Sequence, residues 1–309
     1  MSTLDTEVDD YLRLRRALGH KLVGAERYLR QFTAGLDTAG TRVITMQQVL
    51  AFVSDPDLAE GSAVPQHRLM AVRGFARYLA AVEPRTQVPP AGLVTYRARR
   101  RIPYLFTDDE IDLLVAHART STPRVFRADT LEKMIRLLAV TGMRVGEAIR
   151  LERDDIDWSD AVIHIRDSKF NKSRHVPVSA STIEALHSYA TTRDQRGRDG
   201  AGRFFVSLRG TPVDYNHFRA TFHTAVNAAD IGAGQPNPPR IHDLRHRFAI
   251  RTVTGWYRQG RDVEALLPRL STYLGHRDPV STYWYLTATA ELLGHAATRL
   301  EAAENASRR

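Results

Sequence analysis

Four short segments of this 309-residue chain carry residue types whose spacing could do chemistry. In Thr141-Gly-Met-Arg-Val-Gly-Glu147, Arg144 and Glu147 stand three apart after an apolar run. That pattern serves equally as a helix end with a surface ion pair. Ser168-Lys-Phe-Asn-Lys-Ser-Arg174 places Lys169 and Lys172 on one polar turn. An ammonium can surrender a proton when partly desolvated, which a guanidinium cannot. In Ile241-His-Asp-Leu-Arg-His-Arg-Phe248, His242 and Arg245 are three apart, so on a helix they share a face and can converge on one ligand. Leu274-Gly-His-Arg-Asp-Pro-Val-Ser-Thr-Tyr-Trp-Tyr-Leu286 has Gly275-His276 and then, nine residues on, Tyr285. Its aromatics fit core packing as readily as catalysis. No single segment decides between the functional and the structural reading.

The elements that must position these residues can be read from periodicity. Val8, Tyr11, Leu12 and Leu18, then Ala25, Tyr28, Leu29, Phe32 and Leu36, fall at helical spacing. Thr45 and Gln48 make a capping box ahead of a third helix, and Pro65 suits the first turn of a fourth. Four short amphipathic helices imply a bundle over residues 1–84. Residues 85–103 are Pro-rich and then basic, with Arg97, Arg99, Arg100 and Arg101, and read as a linker: either a strap across a phosphate backbone or a solvated tether. From 104 to 309 a second domain is expected. Thr107 and Glu110 cap its first helix, and a second helix ends at Thr141-Gly142. AVIHIR and HVPV then switch to β-type alternation about the turn that carries both lysines, which predicts a β-hairpin. Ser181 and Glu184 signal a return to helix, residues 191–202 and 231–240 read as loops, and helical patterns resume from 241. The fold class is mainly α with a small β-hairpin or sheet.

Composition bounds the function. The chain has 44 Lys+Arg against 35 Asp+Glu, a formal net charge of +9, so a polyanion is the first partner to consider. Only Lys21, Lys133, Lys169 and Lys172 are lysines, which makes each one informative in an arginine-biased chain. With no cysteine, disulfides, thiolate metal sites and a cysteine nucleophile are excluded. No apolar run approaches transmembrane length, and the acidic start MSTLDTEVDD is opposite to a secretory signal, so a cytoplasmic protein is expected.

Taken in order, the four segments resemble the tyrosine recombinase, or phage integrase, family. The resemblance rests on TGMRVGEA, a hairpin lysine 25 residues after Arg144, HDLRHRFA and LGHRDPVSTYWY, and it extends over the whole chain. The TYWYL ending resembles recombinases of mobile elements that carry several recombinase genes in tandem. The resemblance implies an N-terminal, SAM-like core-binding domain and a C-terminal catalytic domain that clamp duplex DNA. It also implies a site-specific DNA recombinase that cuts and rejoins strands through a 3′-phosphotyrosine, in DNA integration, excision or transposition.

On that resemblance Arg144 and Arg245 grip the non-bridging phosphate oxygens. Lys169 is the general acid, with Lys172 the runner-up, because Ser168 and Phe170 replace the glycines usual beside the lysine. His242 orients or deprotonates the nucleophile, His276 hydrogen-bonds a phosphate oxygen, and Tyr285 attacks. Tyr283 is set aside by spacing, since the family places the tyrosine nine residues after the histidine. Glu147 holds Arg144 in place. Arg97, Arg99, Arg100, Arg101, Lys172 and Arg174 are the expected DNA contacts. His246 and Arg247 are read as facing away from His242, in packing or backbone contact.

Bond energy kept in the covalent link requires neither ATP nor a metal, so no cofactor is expected. The partners implied are double-stranded DNA, a second copy on each site, a tetramer in synapsis, and accessory or sister recombinases, all in the cytoplasm near the nucleoid. The segment after Tyr285 resembles the tail that family members exchange between protomers, with packing on its own domain the alternative. No separate arm-site reader is expected ahead of the bundle. Two other readings stand beside the first: a type IB topoisomerase-like relaxing enzyme, and a catalytically silent DNA-binding regulator.

Overall fold

The computed structural model describes residues 3–38, 42–54, 62–94, 102–120, 124–166, 173–197, 202–276, 278, 280–283, 285 and 294. The chain divides into two units, Met1–Arg100 and Arg101–Arg309.

The first unit contains helices α1 (Thr3–Ala17), α2 (Val23–Thr38), α3 (Met46–Val53) and α4 (Val64–Leu79). Each lays one apolar stripe inward, and Val8, Leu12, Leu29, Val49, Val72 and Phe75 are buried together. Burial of such a side chain is worth about 1.5–3 kcal/mol. The expected box opens α3: the Thr45 N–H donates to Gln48 Oε1 at 2.8 Å, and the Gln48 N–H reaches back to Thr45 Oγ1. Gly74 admits the Tyr11 hydroxyl, which would lie 2.6 Å from a Cβ there.

The Pro-rich stretch differs from the expected linker. The Gln87 N–H donates to the Ile44 carbonyl, the Met46 N–H donates to Gln87 Oε1, and Arg73 Nε donates to the Pro89 carbonyl. Gln87, through its backbone N–H and side chain, and Pro89, through its carbonyl, are therefore bound to the bundle.

The second unit is built around α6 (Val125–Thr141), which packs against α5 (Asp108–Thr120), α8 (Ala180–Gln195) and α10 (Ile241–Arg258). Also present are α7 (Val145–Arg150), α9 (Tyr215–Ala228), α11 (Val263–Leu274) and the short α12 (Val280–Tyr283). The Thr107–Glu110 box caps α5 as expected: the Thr107 N–H donates to Glu110 Oε2, and the Glu110 N–H donates to Thr107 Oγ1.

The sheet is antiparallel, in the order β1 (Ile156–Asp157), β2 (Val162–Ile165), β3 (Arg174–Pro177). The β2–β3 pairing is the expected hairpin, with His164 opposite His175; β1 adds a third strand that was not expected.

Two boundaries differ from the expectation. The cap of α8 is Ser179, whose hydroxyl accepts from the Thr182 N–H, rather than Ser181. That helix also continues to Gln195, through residues read as loop, because Arg193 is buried there and donates to the carbonyls of Arg203 and Phe204.

Candidate active site

The site is assembled where three helix ends meet. The first is the break between α6 and α7. Gly142 ends α6 in the left-handed conformation (φ 60°), and a Cβ there would lie 2.6 Å from the Phe248 ring. Glycine is thus required both for the backbone angle and for close packing on α10. Arg144 follows as the cap of α7. Its backbone N–H donates to Glu147 Oε2 at 2.8 Å, and its Nη1 donates to Glu147 Oε1 at 2.9 Å.

The second is the start of α10, where Asp243 is almost fully buried and accepts from the Arg240 backbone N–H. A carboxylate in a first helical turn satisfies free N–H groups and opposes the positive end of the helix dipole. This fixes the turn that carries His242, Arg245 and His246.

The third is the end of α11, where Gly275 is left-handed (φ 67°). Terminal helix carbonyls lack intrahelical partners, and here arginines supply them. Arg245 Nη2 donates to the Leu274 carbonyl at 2.5 Å, and Arg144 Nη2 donates to the Gly275 carbonyl at 2.9 Å. Arg245 Nη1 also holds the Gly142 carbonyl at 2.7 Å, so one guanidinium joins the ends of α6 and α11. Two arginines about a hundred residues apart in sequence thereby meet on consecutive carbonyls, with His276 next in the chain.

Tyr285 is 2 % exposed, whereas Tyr283 is 45 % exposed. The Tyr285 hydroxyl lies 3.2 Å from His246 Nδ1. The His276 ring stacks 6.2 Å from that of Tyr285, and His276 Nδ1 lies 2.7 Å from the Thr282 hydroxyl. His242 meets His246 edge-on at 4.8 Å.

Charge and burial set the protonation states. Desolvation, followed by the nearby Arg144, lowers Arg245 to about 10, which leaves it charged at neutral pH. Desolvation, then Arg245 and Arg144, lowers His276 to about 4. Desolvation, then Arg240, Arg245 and His276, lowers His246 to about 4. His242 is lowered as well, by desolvation first and His246 second, although one edge of it meets solvent. Burial pushes the Glu147 carboxyl up, but hydrogen bonds and charge from Arg174, with help from Arg144, prevail and hold it at about 2. The result is an anionic Glu147 beside the guanidinium groups of Arg144, Arg174 and Arg245, with three neutral imidazoles.

Several expectations are placed differently. Arg174 does not extend outward as a DNA contact. Its side chain is 7 % exposed, Nε donates to the Tyr273 carbonyl, and Nη1 and Nη2 donate to the two oxygens of Glu147. It is drawn inward because the buried carboxylate of Glu147 has two oxygens whose lone pairs Arg144 does not fill, and Arg174 donates to both of them.

His246 does not face away. It lies four residues after His242, the same helix face, and it touches Tyr285. Arg247 is structural: Nε donates to the Phe106 carbonyl at 2.6 Å, and Nη2 pairs with Asp108. Lys169, Lys172, Arg97, Arg99, Arg100, Arg101 and the segment proposed for exchange lie outside the described residues, Gly294 of that segment excepted.

Comparison with known proteins follows the same lines. Residues 105–291 match the model of the phage integrase family. The Sinorhizobium fredii protein y4rB, named as an integrase/recombinase, is 40 % identical over 311 residues, covering 97 % of this chain and 98 % of its own. The tyrosine recombinase XerD of Mycobacterium tuberculosis is 30 % identical, covering 92 % of each chain.

Among solved structures, XerH site-specific recombinase bound to its palindromic difH substrate in a post-cleavage complex aligns with TM-score 0.63 and 18 % identity, over 89 % of this chain and 77 % of that one. A lambda integrase tetramer bound to a Holliday junction aligns with TM-score 0.61 and 19 % identity, over 90 % and 79 %. At these identities the likeness is one of fold.

Proposed function

Because the chain belongs to the phage integrase family of tyrosine recombinases, we propose that Tyr285 attacks a phosphodiester of duplex DNA within a site-specific strand exchange. The observation that carries this reading is the meeting of Arg144 and Arg245 on the consecutive carbonyls of Leu274 and Gly275, with His276 and the buried Tyr285 beside them. Each guanidinium has five donors, so those already given to carbonyls fix its plane and leave others for phosphate. As charge grows on the two non-bridging oxygens, Arg144 and Arg245 stabilise it from rigid positions. Neutral His276 donates a further hydrogen bond to the same oxygens. His242 orients the nucleophile through His246, against whose ring it rests.

The Tyr285 oxygen forms a bond to phosphorus as the bond to the 5′ oxygen breaks. That oxygen departs with the electron pair and takes a proton from the hairpin lysine, Lys169, with Lys172 the alternative. The product is a 3′-phosphotyrosine and a free 5′-hydroxyl. A 5′-hydroxyl from the partner duplex then reverses the displacement. A lambda integrase dimer bound to a core site and a tetramer bound to a Holliday junction support a dimer on each site and a tetramer in synapsis for this chain, and action on chromosomal DNA would place it in the cytoplasm at the nucleoid. Among the described residues no helix is long and apolar enough to cross a membrane.

A nicked duplex drawn from DNA flanking the gene tests the assignment, because the short strand diffuses away and the adduct accumulates. The covalent adduct should vanish in Tyr285→Phe and persist in Tyr283→Phe; an adduct in Tyr285→Phe refutes the nucleophile. Exchange between two supercoiled sites, rather than relaxation alone, separates a recombinase from a relaxing enzyme.

A further inference from the structure

We propose that His246 is a catalytic residue that holds the Tyr285 hydroxyl and accepts its proton as the tyrosine attacks. This rests on Tyr285 being the nucleophile. The geometry begins with the helix: His242 and His246 are one turn apart on α10, and their rings meet edge-on at 4.8 Å. His246 Nδ1 lies 3.2 Å from the Tyr285 oxygen, within reach of direct proton transfer. Its ring centroid is 5.7 Å from that of Tyr285, so the contact is made at the ring edge by a nitrogen. His276 directs its own Nδ1 to Thr282 at 2.7 Å.

The groups around His246 are His242 and the cations Arg240 and Arg245 from its own element and cap, and His276 and Tyr285 from the segment after α11. Desolvation first, and then the positive charges of Arg240 and Arg245, disfavour an imidazolium here, so the ring stays neutral and one nitrogen keeps a lone pair. With the ring hydrogen on Nε2, Nδ1 accepts from the phenol.

The step balances as follows. The Tyr285 O–H bond breaks and its proton passes to Nδ1, giving an imidazolium. The phenolic oxygen forms the bond to phosphorus, and the bond from phosphorus to the 5′ oxygen breaks. That oxygen is protonated by the hairpin lysine. On rejoining, the imidazolium returns the proton to the departing tyrosine. The nearby Arg245 raises the free energy of that imidazolium, which favours the return.

The experiment uses the full chain and the nicked duplex from DNA flanking the gene, comparing His246→Asn with the parent, each with tyrosine or difluorotyrosine at 285. Asparagine keeps an acceptor oxygen near the place of Nδ1 but cannot take a proton. Single-turnover adduct formation should fall about 10²–10⁴-fold in His246→Asn, with duplex binding retained. The residual rate should climb with pH toward the phenol's own pKa, and difluorination, which acidifies the phenol, should recover much of it.

In the parent chain the rate should be flat across neutral pH and gain nothing from difluorination. A parental rate that climbs with pH and shifts with fluorination overturns the proposal, and this reading does not depend on the variant folding. So does a His246→Asn variant that cleaves at the parental rate, or one that difluorotyrosine fails to rescue. An adduct in Tyr285→Phe instead strikes the nucleophile assignment and is distinguishable from all of these.

Discussion

Arg174 grips Glu147 through both carboxylate oxygens, at 3.0 and 2.8 Å, and both side chains are almost wholly buried. Glu147 also holds Arg144, so the anion that orients a phosphate-binding arginine is itself oriented from the hairpin strand β3. Removing one member of a buried pair strands the other without a counter-charge, at a cost of about 3–5 kcal/mol. Glu147→Gln and Arg174→Ala should each destabilise the chain by that order in chemical denaturation. The double variant should cost less than the sum. Strict additivity would show that the two do not act as a pair.

Arg144 and Arg245 should separate catalysis from stability. Arg144 is a quarter exposed, whereas Arg245 is 2 % exposed and satisfies the carbonyls of Gly142 and Leu274. Arg144→Lys should lose about 10²–10³ in adduct formation while DNA binding and melting temperature change little, because lysine supplies charge without the fork. Arg245→Ala should lose as much activity and also stability, at about 1–3 kcal/mol for each carbonyl left unpaired. Equal melting temperatures for the two variants would contradict this division.

What could be read from the sequence was local. The boxes at Thr45 and Thr107, the glycine ending α6 and the β2–β3 hairpin each depend on residues a few positions apart, and each is where periodicity put it. The two-residue strand β1 is too short to show a period. The inward turn of Arg174 depends on the Tyr273 carbonyl, 99 residues away, and no sequence pattern announces that meeting. His246 is different: its four-residue offset from His242 already placed it on the same helix face.

Gly142→Ala and Gly275→Ala should differ in severity. Both positions have positive φ, which costs a non-glycine residue about 1–2 kcal/mol. A Cβ at 142 would strike the Phe248 ring at 2.6 Å, with Leu274 at 3.2 Å behind it. At 275 the obstacle is the Arg174 guanidinium at 3.0 Å. A ring packed against Tyr273 cannot yield easily, whereas the end of an arginine can shift. Gly142→Ala should therefore lower the melting temperature more, and Gly275→Ala should lower it less while loosening the Arg174–Glu147 grip and slowing cleavage. The reverse order of melting temperatures would show that the α6–α10 approach is looser than these distances indicate.

Acid should weaken the fold in two steps with different owners. His246 and His276 are lowered to about 4 from an ordinary 6.5, chiefly by desolvation. Between those values the unfolded chain binds protons that the folded chain refuses, so their penalty is absent above about 6.5 and grows as pH falls toward 4. Glu147 is held at about 2, and its contribution, complete above about 4.5, is lost progressively as pH falls from there through 2. Melting temperature should thus decline from pH 7 to 5 in the parent chain, and His276→Gln should flatten that decline. Glu147→Gln should leave its slope unchanged while lowering the whole curve. Over the same range the folded molecules keep neutral imidazoles, so adduct formation per folded molecule should hold below pH 6.5. A rate that halves near 6.5 would mean that these histidines titrate as free ones do, and that desolvation does not govern the site.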